Sequence, residues 1–278
     1  MVKFRNFIEK HWLITFIFCI LFAVAGLEIY DVFDMIFGKV ISNERIAGTL
    51  GRMIASLAVG LFSLYYFKKD RKCLGIQRSG FWKGLFIGGF MIVATISNLY
   101  SAFDEASAYS PVKVHVSEVV IIAVEALFIG MLEEFLFRGL IFNIFMAKVQ
   151  TYTYKEVMKA VVGSAVIFGG VHLLNLITYP NLIKVTLIQV EYAMFIGMIF
   201  AIVYFRSRNI WVVVFLHFIY DFASEVPYAF YDIPQRGEIA DCDMATAIAG
   251  AIVNVTFLAV ALILSRKIIE KPSEKNVD

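Results

Sequence analysis

Two adjacent acids and an arginine, Glu133, Glu134 and Arg138, interrupt a run from 119 to 147 that is otherwise apolar apart from Glu125 and Asn143. Glu134 and Arg138 are four apart, so on a helix they share a face, with the acid on the favourable N-terminal side. Glu133 is turned roughly 100° from Glu134 by helix geometry. Arg138 is therefore expected to neutralise Glu134 and to leave Glu133 pointing elsewhere, unpaired, as a general base should be. Two further runs carry imidazoles. His172 follows Phe168-Gly169-Gly170-Val171, where the two glycines would let a neighbouring helix approach closely. His217 and Asp221 are four apart and share a face, so the carboxyl can hold the ring's orientation and tautomer. A carboxylate and two imidazoles brought to one level can make an active site or a metal site.

The elements that must position these groups are membrane helices. Of the 278 residues, 60% are hydrophobic and 17% charged, against roughly 45–50% and about a quarter in a soluble domain. The excess lies in long runs, which reads as an all-α, polytopic membrane helix bundle. Eight apolar spans are expected, near 12–30, 46–67, 82–101, 118–147, 158–178, 182–205, 210–229 and 245–265. Each is close to the roughly 20 residues that cross about 30 Å of hydrocarbon, and the fourth, being longer, should tilt or project. No internal repeat, linker or second domain is evident, so 1–278 reads as a single transmembrane domain. A net charge of +2 gives no basic footprint for nucleic acid.

Basic residues alternate between loops. One set comprises Lys3, Arg5, Lys10; Lys68, Lys69, Arg71, Lys72, Arg78; Lys148, Lys155, Lys159; Arg206, Arg208; and Arg266, Lys267, Lys271, Lys275. The other comprises only Lys39, Arg45, Lys113, Lys184 and Arg236. The positive-inside rule puts the first set, and with it both termini, in the cytoplasm. Ala23-Val24-Ala25 resembles a signal-peptidase site, but the run continues apolar through Gly26 and Leu27, which favours a retained first helix. The tail ending Asn276-Val277-Asp278 holds no lipidation signal. Cys19, Cys73 and Cys242 fall in a helix, a cytoplasmic loop and an external loop, so no disulfide and no paired-cysteine metal site is expected.

With this topology the polar groups line up in depth. Glu133 is about 12–14 residues from the cytoplasmic end of its span, His172 about 14 and His217 about 7–10, which places all three within roughly 10 Å along the membrane normal. The centre is then expected between the mid-membrane and its cytoplasmic half. A lone intramembrane histidine is commonly a helix-bridging hydrogen bonder, and Glu134–Arg138 alone reads as structural. Convergence at one depth is what points to chemistry, because a charge at bilayer depth costs roughly 2.5–3.5 kcal/mol. Glu118, Glu125, Gln189, Glu191 and Asn254 read as packing or cavity-lining residues, and Arg52 as a side chain that pairs with an acid or snorkels.

These residues resemble the CPBP family of membrane proteins, the type II CAAX prenyl endopeptidases and the Abi-type bacteriocin-processing and immunity proteins. Glu133, Glu134 and Arg138 match its Glu-Glu-x-x-x-Arg motif, Phe168 and His172 its Phe-x-x-x-His motif, and His217 with Asp221 its third, a His followed four residues on by Asn or a similar polar residue. The resemblance covers about 118–229, agrees with the family's eight-helix core, and implies that the first helix is retained. It implies an intramembrane glutamate protease that works without metal or cofactor. Glu133 would activate a water with help from His172, His217 and Asp221 would serve the oxyanion, and Glu134, Arg138 and Phe168 would support them. Asp221 departs from the Asn of the prenyl proteases. An ionised Asp only accepts hydrogen bonds, so Asp221 is expected to orient His217 instead.

Three functions follow. The first is an endopeptidase of the cell membrane, cutting a peptide or lipidated peptide near the cytoplasmic face, amid membrane lipids. The second is a zinc protease using His172, His217 and a Glu, although no His-Glu-x-x-His is present. The third is a non-proteolytic immunity or scaffold protein. Substrate and oligomeric state are not encoded in any motif.

Overall fold

The computed structural model describes residues 11–68, 71–77, 79–149, 151–234 and 240–266. Lys3, Arg5, Lys10, Lys69, Arg78, Arg236, Lys267, Lys271, Lys275 and the tail 276–278 lie outside the described residues. Helices dominate: α1 (Trp12–Phe37), α2 (Glu44–Tyr66), α3 (Phe81–Ile87), α4 (Gly89–Ala106), α5 (Val116–Glu134), α6 (Asn143–Met146), α7 (Tyr154–Gly170), α8 (Asn175–Thr178), α9 (Ile183–Ser207), α10 (Ile210–Glu225) and α11 (Met244–Ser265). Among the described residues there is no strand, and one isolated bridge pairs Pro111 with Tyr231. Helix starts follow from local chemistry. Asn43, Thr153, Asn209 and Asp243 each accept a backbone N–H of the first turn, from Ile46, Glu156, Val212 and Thr246, which satisfies one of the donors a helix start leaves open.

Six helical segments are long and apolar enough to cross a membrane: Leu13–Phe37, Glu44–Tyr66, Tyr154–Thr178, Ile183–Ser207, Ile210–Ala229 and Met244–Ser265. The pair α3 and α4 makes a seventh when read as one span bent by 64°. The bend falls at Gly88, where a Cβ would stand 2.6 Å from Leu216 Cδ1, so the corner seats directly on α10. The remaining expected span is α5, which continues through a wide π-helical stretch, Phe135–Phe142, into α6. Every 18-residue window of it holds at least three acidic or basic residues, so its charge, not its length or apolar character, sets it apart from the other six.

The core lies where α5, α7, α9 and α10 meet. Ile199 to Val203 of α9 and Val212 to Val214 of α10 are wholly or almost wholly buried, and so are Leu136 to Ile141. Many apolar side chains of the outer helices α1 and α11 face outward, among them Leu13, Leu21, Ile252 and Ile263. Loops that share a charge class also share contacts. Asn209 Nδ2 donates to the carbonyls of Gln77 (2.6 Å) and Ser79 (2.9 Å), and Ile210 N donates to Gly75 O (3.1 Å), which joins the basic loops. Tyr154 and Ser265 pair hydroxyls at 3.0 Å at that same end. At the other end Val112 N meets Phe230 O (2.9 Å), Asp232 N meets Ser110 O (2.9 Å), and Lys184 Nζ meets Asp241 Oδ2 (3.1 Å).

Candidate active site

Glu133 and Glu134 are the last residues of α5, and Arg138 lies in the π-helical stretch that follows. A π bulge widens the turn and is frequent at functional sites. Asn143 holds this one together, since its Nδ2 faces the carbonyls of Arg138 (3.1 Å) and Gly139 (2.9 Å) and the hydroxyl of Tyr204 (2.8 Å). Tyr204 in turn donates to Cys73 O. Gly130, one turn upstream, lets α10 approach: a Cβ there would be 3.3 Å from Val214 O and from Phe218 N. That close approach brings His217 onto the two glutamates.

Glu134 is fully buried, and its Oε1 accepts from Arg138 Nη1 (2.7 Å) and from His217 Nδ1 (2.8 Å). The expected Glu134–Arg138 pair is thus present. The guanidinium is fixed further by Gly197 O at 3.3 Å and by the faces of Phe168 and Phe200, whose centroids are 4.4 and 5.3 Å from Arg138 Cζ. His217 Nε2 faces the opposite way, 3.3 Å from Asp221 Oδ2 and 3.6 Å from Glu133 Oε2. Glu133 points away from Arg138, as helix geometry requires, but it is not unpaired, because His217 stands beside it. The carboxylate closest to the ring of His217 is Glu134 on another helix, and Asp221 lies on the opposite nitrogen.

His172 sits just past the end of α7, where the chain tightens to a 3₁₀ turn, Val171–Leu174. Its Nδ1 is 2.9 Å from Phe168 O. A carbonyl only accepts, so Nδ1 carries the proton and Nε2 is the basic atom of the neutral ring. The ring of Phe168 stands edge-on to both His172 (5.5 Å) and His217 (6.1 Å). Of the two glycines before His172, only Gly169 permits close approach: a Cβ there would meet Met194 Cγ at 2.2 Å and Val190 O at 2.6 Å, whereas one on Gly170 would meet nothing within 4 Å.

Glu133, His172, His217 and Asp221 line one cavity of about 220 Å³ between α5, α7, α9 and α10. Phe168 also lines it, while Glu134 and Arg138 stand behind its wall. Gln189, Tyr192, Tyr220, Ser224 and Glu225 line it as well. Gln189 was legible only as a polar residue in a span. Glu225 continues the stripe of His217 and Asp221 at the next i+4 position, a signal that the spacing alone contains. The link from Glu134 to His217 left no such trace, because it joins two helices 83 residues apart in the chain. Among the remaining polar residues, Arg52 pairs with Glu125 at 2.6 Å, Asn254 Nδ2 donates to Glu191 at 3.3 Å, and Asn175 Nδ2 donates to Gln189 at 2.9 Å. Among the described residues no group of three or more His, Cys, Asp or Glu side chains is placed to hold a metal ion.

Fold and site together define a polytopic helical membrane protein whose polar cavity is built on a Glu-Glu-x-x-x-Arg helix. Residues 115–223 match the family model of the Rce1-like type II CAAX prenyl endopeptidases. That segment is similar to the CPBP/CAAX protease family, whose three motifs it carries, and the six apolar helices make the chain a multi-pass integral membrane protein. No curated protein and no solved structure matches the chain.

Proposed function

We propose that this protein is an intramembrane glutamate endopeptidase of the cell membrane, formed as one eight-crossing transmembrane domain with cytoplasmic termini and a catalytic core over about 118–229. Glu133 takes the proton of a water that attacks the scissile carbonyl, and His172 Nε2 assists by accepting a hydrogen bond from that water. His217 carries a proton on each nitrogen: Nδ1–H is held by Glu134, and Nε2–H is presented to the oxyanion as negative charge develops there. Asp221 orients that Nε2 side of the ring. Arg138 balances Glu134, and Phe168 and Phe200 hold Arg138 in place. The substrate is a peptide or lipidated peptide, handled without metal or cofactor.

The observation that carries this reading is the meeting of Glu133 and His217 Nε2, 3.6 Å apart, in a cavity that His172 also lines. Loss of a positioned general base costs about 10²–10⁴-fold in rate. In cells carrying Glu133→Gln in place of the wild type, substrate peptides are therefore expected to accumulate uncut while the protein stays folded at its normal level. Comparative peptide profiling reads both. Identical profiles with a folded variant would remove Glu133 from catalysis.

A further inference from the structure

We propose that the groove between α1, α6 and α7 holds one anionic phospholipid, with its acyl chain along α7 and its headgroup on Lys155 and Lys159. The groove has a volume of about 700 Å³ and is separate from the cavity of Glu133 and the histidines. Val166 lines the groove and Phe168 the cavity. Two residues turn a helix by about 200°, so the two sites occupy opposite faces of α7.

Two adjacent rows of α7 build the long wall, each stepping by four residues. Tyr154, Met158, Val162 and Val166 form one, and Lys155, Lys159 and Gly163 form the other. The second row thus passes from two cations to no side chain at all. Where it reaches Gly163, the ring of Phe145 is the floor: a Cβ on Gly163 would touch that ring at 3.4 Å. Phe16 of α1 makes the opposite wall, its ring centroid 6.3 Å from that of Phe145. One end of the groove is cationic and the other is apolar, which is the polarity of an anionic phospholipid.

Its length fits the same occupant. Lys155 and Val166 are eleven positions apart, about 16 Å of helix rise. One leaflet supplies half of the roughly 30 Å of hydrocarbon. The groove therefore runs from the interface, where Tyr154 stands as interfacial aromatics do, to the middle of the membrane. Val162 and Val166 are each 41% exposed, so the slot opens sideways toward acyl chains. Charge then selects the headgroup. Lys155 pairs with no acid among the described residues. Lys159, whose side chain is 47% exposed, shares its charge with Glu156 at 2.7 Å. Basic pockets between membrane helices take anionic headgroups, whereas a zwitterionic lipid fills the slot but brings no net charge to these lysines.

Native mass spectrometry of the full-length chain tests this, because it reads lipid stoichiometry and oligomeric state together and needs no proteolysis. The protein in nonionic detergent is titrated with dioleoylphosphatidylglycerol, dioleoylphosphatidylcholine or glycerol 1-phosphate. A basic residue beside anionic lipid favours it about fivefold, and Glu156 offsets part of the Lys159 share, so the wild type is expected to retain one phosphatidylglycerol about tenfold more tightly than phosphatidylcholine. Glycerol 1-phosphate is expected not to be retained. Lys155→Gln combined with Lys159→Gln is expected to bring the two lipids within about twofold of each other. Val166→Trp fills the slot and is expected to weaken both lipids about tenfold, as the loss of about two buried CH₂ groups would. All three positions are exposed, so these variants are expected to keep the wild-type unfolding midpoint.

Equal retention of the two lipids by the wild type overturns the proposal, as does retention of neither. So does a preference that survives the double lysine variant, or tight binding of glycerol 1-phosphate alone. A dimer that Val166→Trp dissolves, with no lipid retained, would show instead that a second copy of the chain covers the groove.

Discussion

Glu134 carries two duties at once, and the chemistry of its neighbours decides what its removal does. Its Oε1 is the acceptor for both Arg138 (2.7 Å) and His217 Nδ1 (2.8 Å), and it is completely buried. Glu134→Gln leaves Arg138 as a buried cation without its partner, and breaking a buried pair costs about 3–5 kcal/mol. The expected result is a large fall in the thermal unfolding midpoint in detergent together with loss of proteolysis. Asp221 is different. Its side chain is 25% exposed and 3.3 Å from His217 Nε2, so Asp221→Asn removes a contact that the cavity solvates. A stability change below about 1 kcal/mol is expected, with proteolysis kept, because Glu134 still fixes the ring from the other nitrogen. Complete inactivity of a folded Asp221→Asn protein would show that the carboxylate itself is required.

At the scale of elements, helix contacts place the site, and the paired glycines before His172 expose the mechanism. A methyl at Gly169 would collide with Val190 O of α9 at 2.6 Å, a backbone atom that can yield only if the helix moves, whereas a methyl at Gly170 meets nothing within 4 Å. Gly169→Ala is therefore expected to lower stability by about 1–3 kcal/mol through overpacking. Gly170→Ala is expected to be neutral, or to gain up to about 1 kcal/mol from better helix propensity; the two midpoints measured side by side check the pair. The spacing of Phe168-Gly169-Gly170 announced a tight crossing but could not say which glycine faces it. Glu133, His172, His217 and Asp221 were each legible as polar residues at helical spacing, because hydrocarbon makes any such residue conspicuous. Two features were not legible. One is the π-helical stretch 135–142, which depends on Asn143 finding Tyr204 across the bundle. The other is the joint hold of Glu134 on Arg138 and His217, which depends on Gly130 admitting α10.

For the molecule as a whole, the family match covers 115–223, yet the cavity helices are braced by chain outside it. Arg52 on α2 reaches Glu125 on α5 at 2.6 Å, with Arg45 at 3.6 Å from the other carboxylate oxygen, two turns before Glu133 and Glu134. Composition made the bundle legible, since long apolar runs with alternating basic loops admit few other arrangements, but it paired Arg52 with no particular acid. Arg52 and Glu125 each expose 19% of their side chains, so the pair is neither dry nor freely solvated. Arg52→Gln leaves Glu125 a partly buried carboxylate with one weaker cation nearby, which is expected to cost about 1–3 kcal/mol. Glu125→Gln leaves two arginines facing each other and is expected to cost a similar amount. The double variant, with neutral amides able to hydrogen-bond, is expected to be more stable than either single one. A coupling energy of about 0.5–3 kcal/mol from that cycle, read from unfolding midpoints in one detergent, would mark the pair as the strut between α2 and α5; strictly additive effects would show that α2 is held by its apolar packing alone, since the two residues would then act independently of each other.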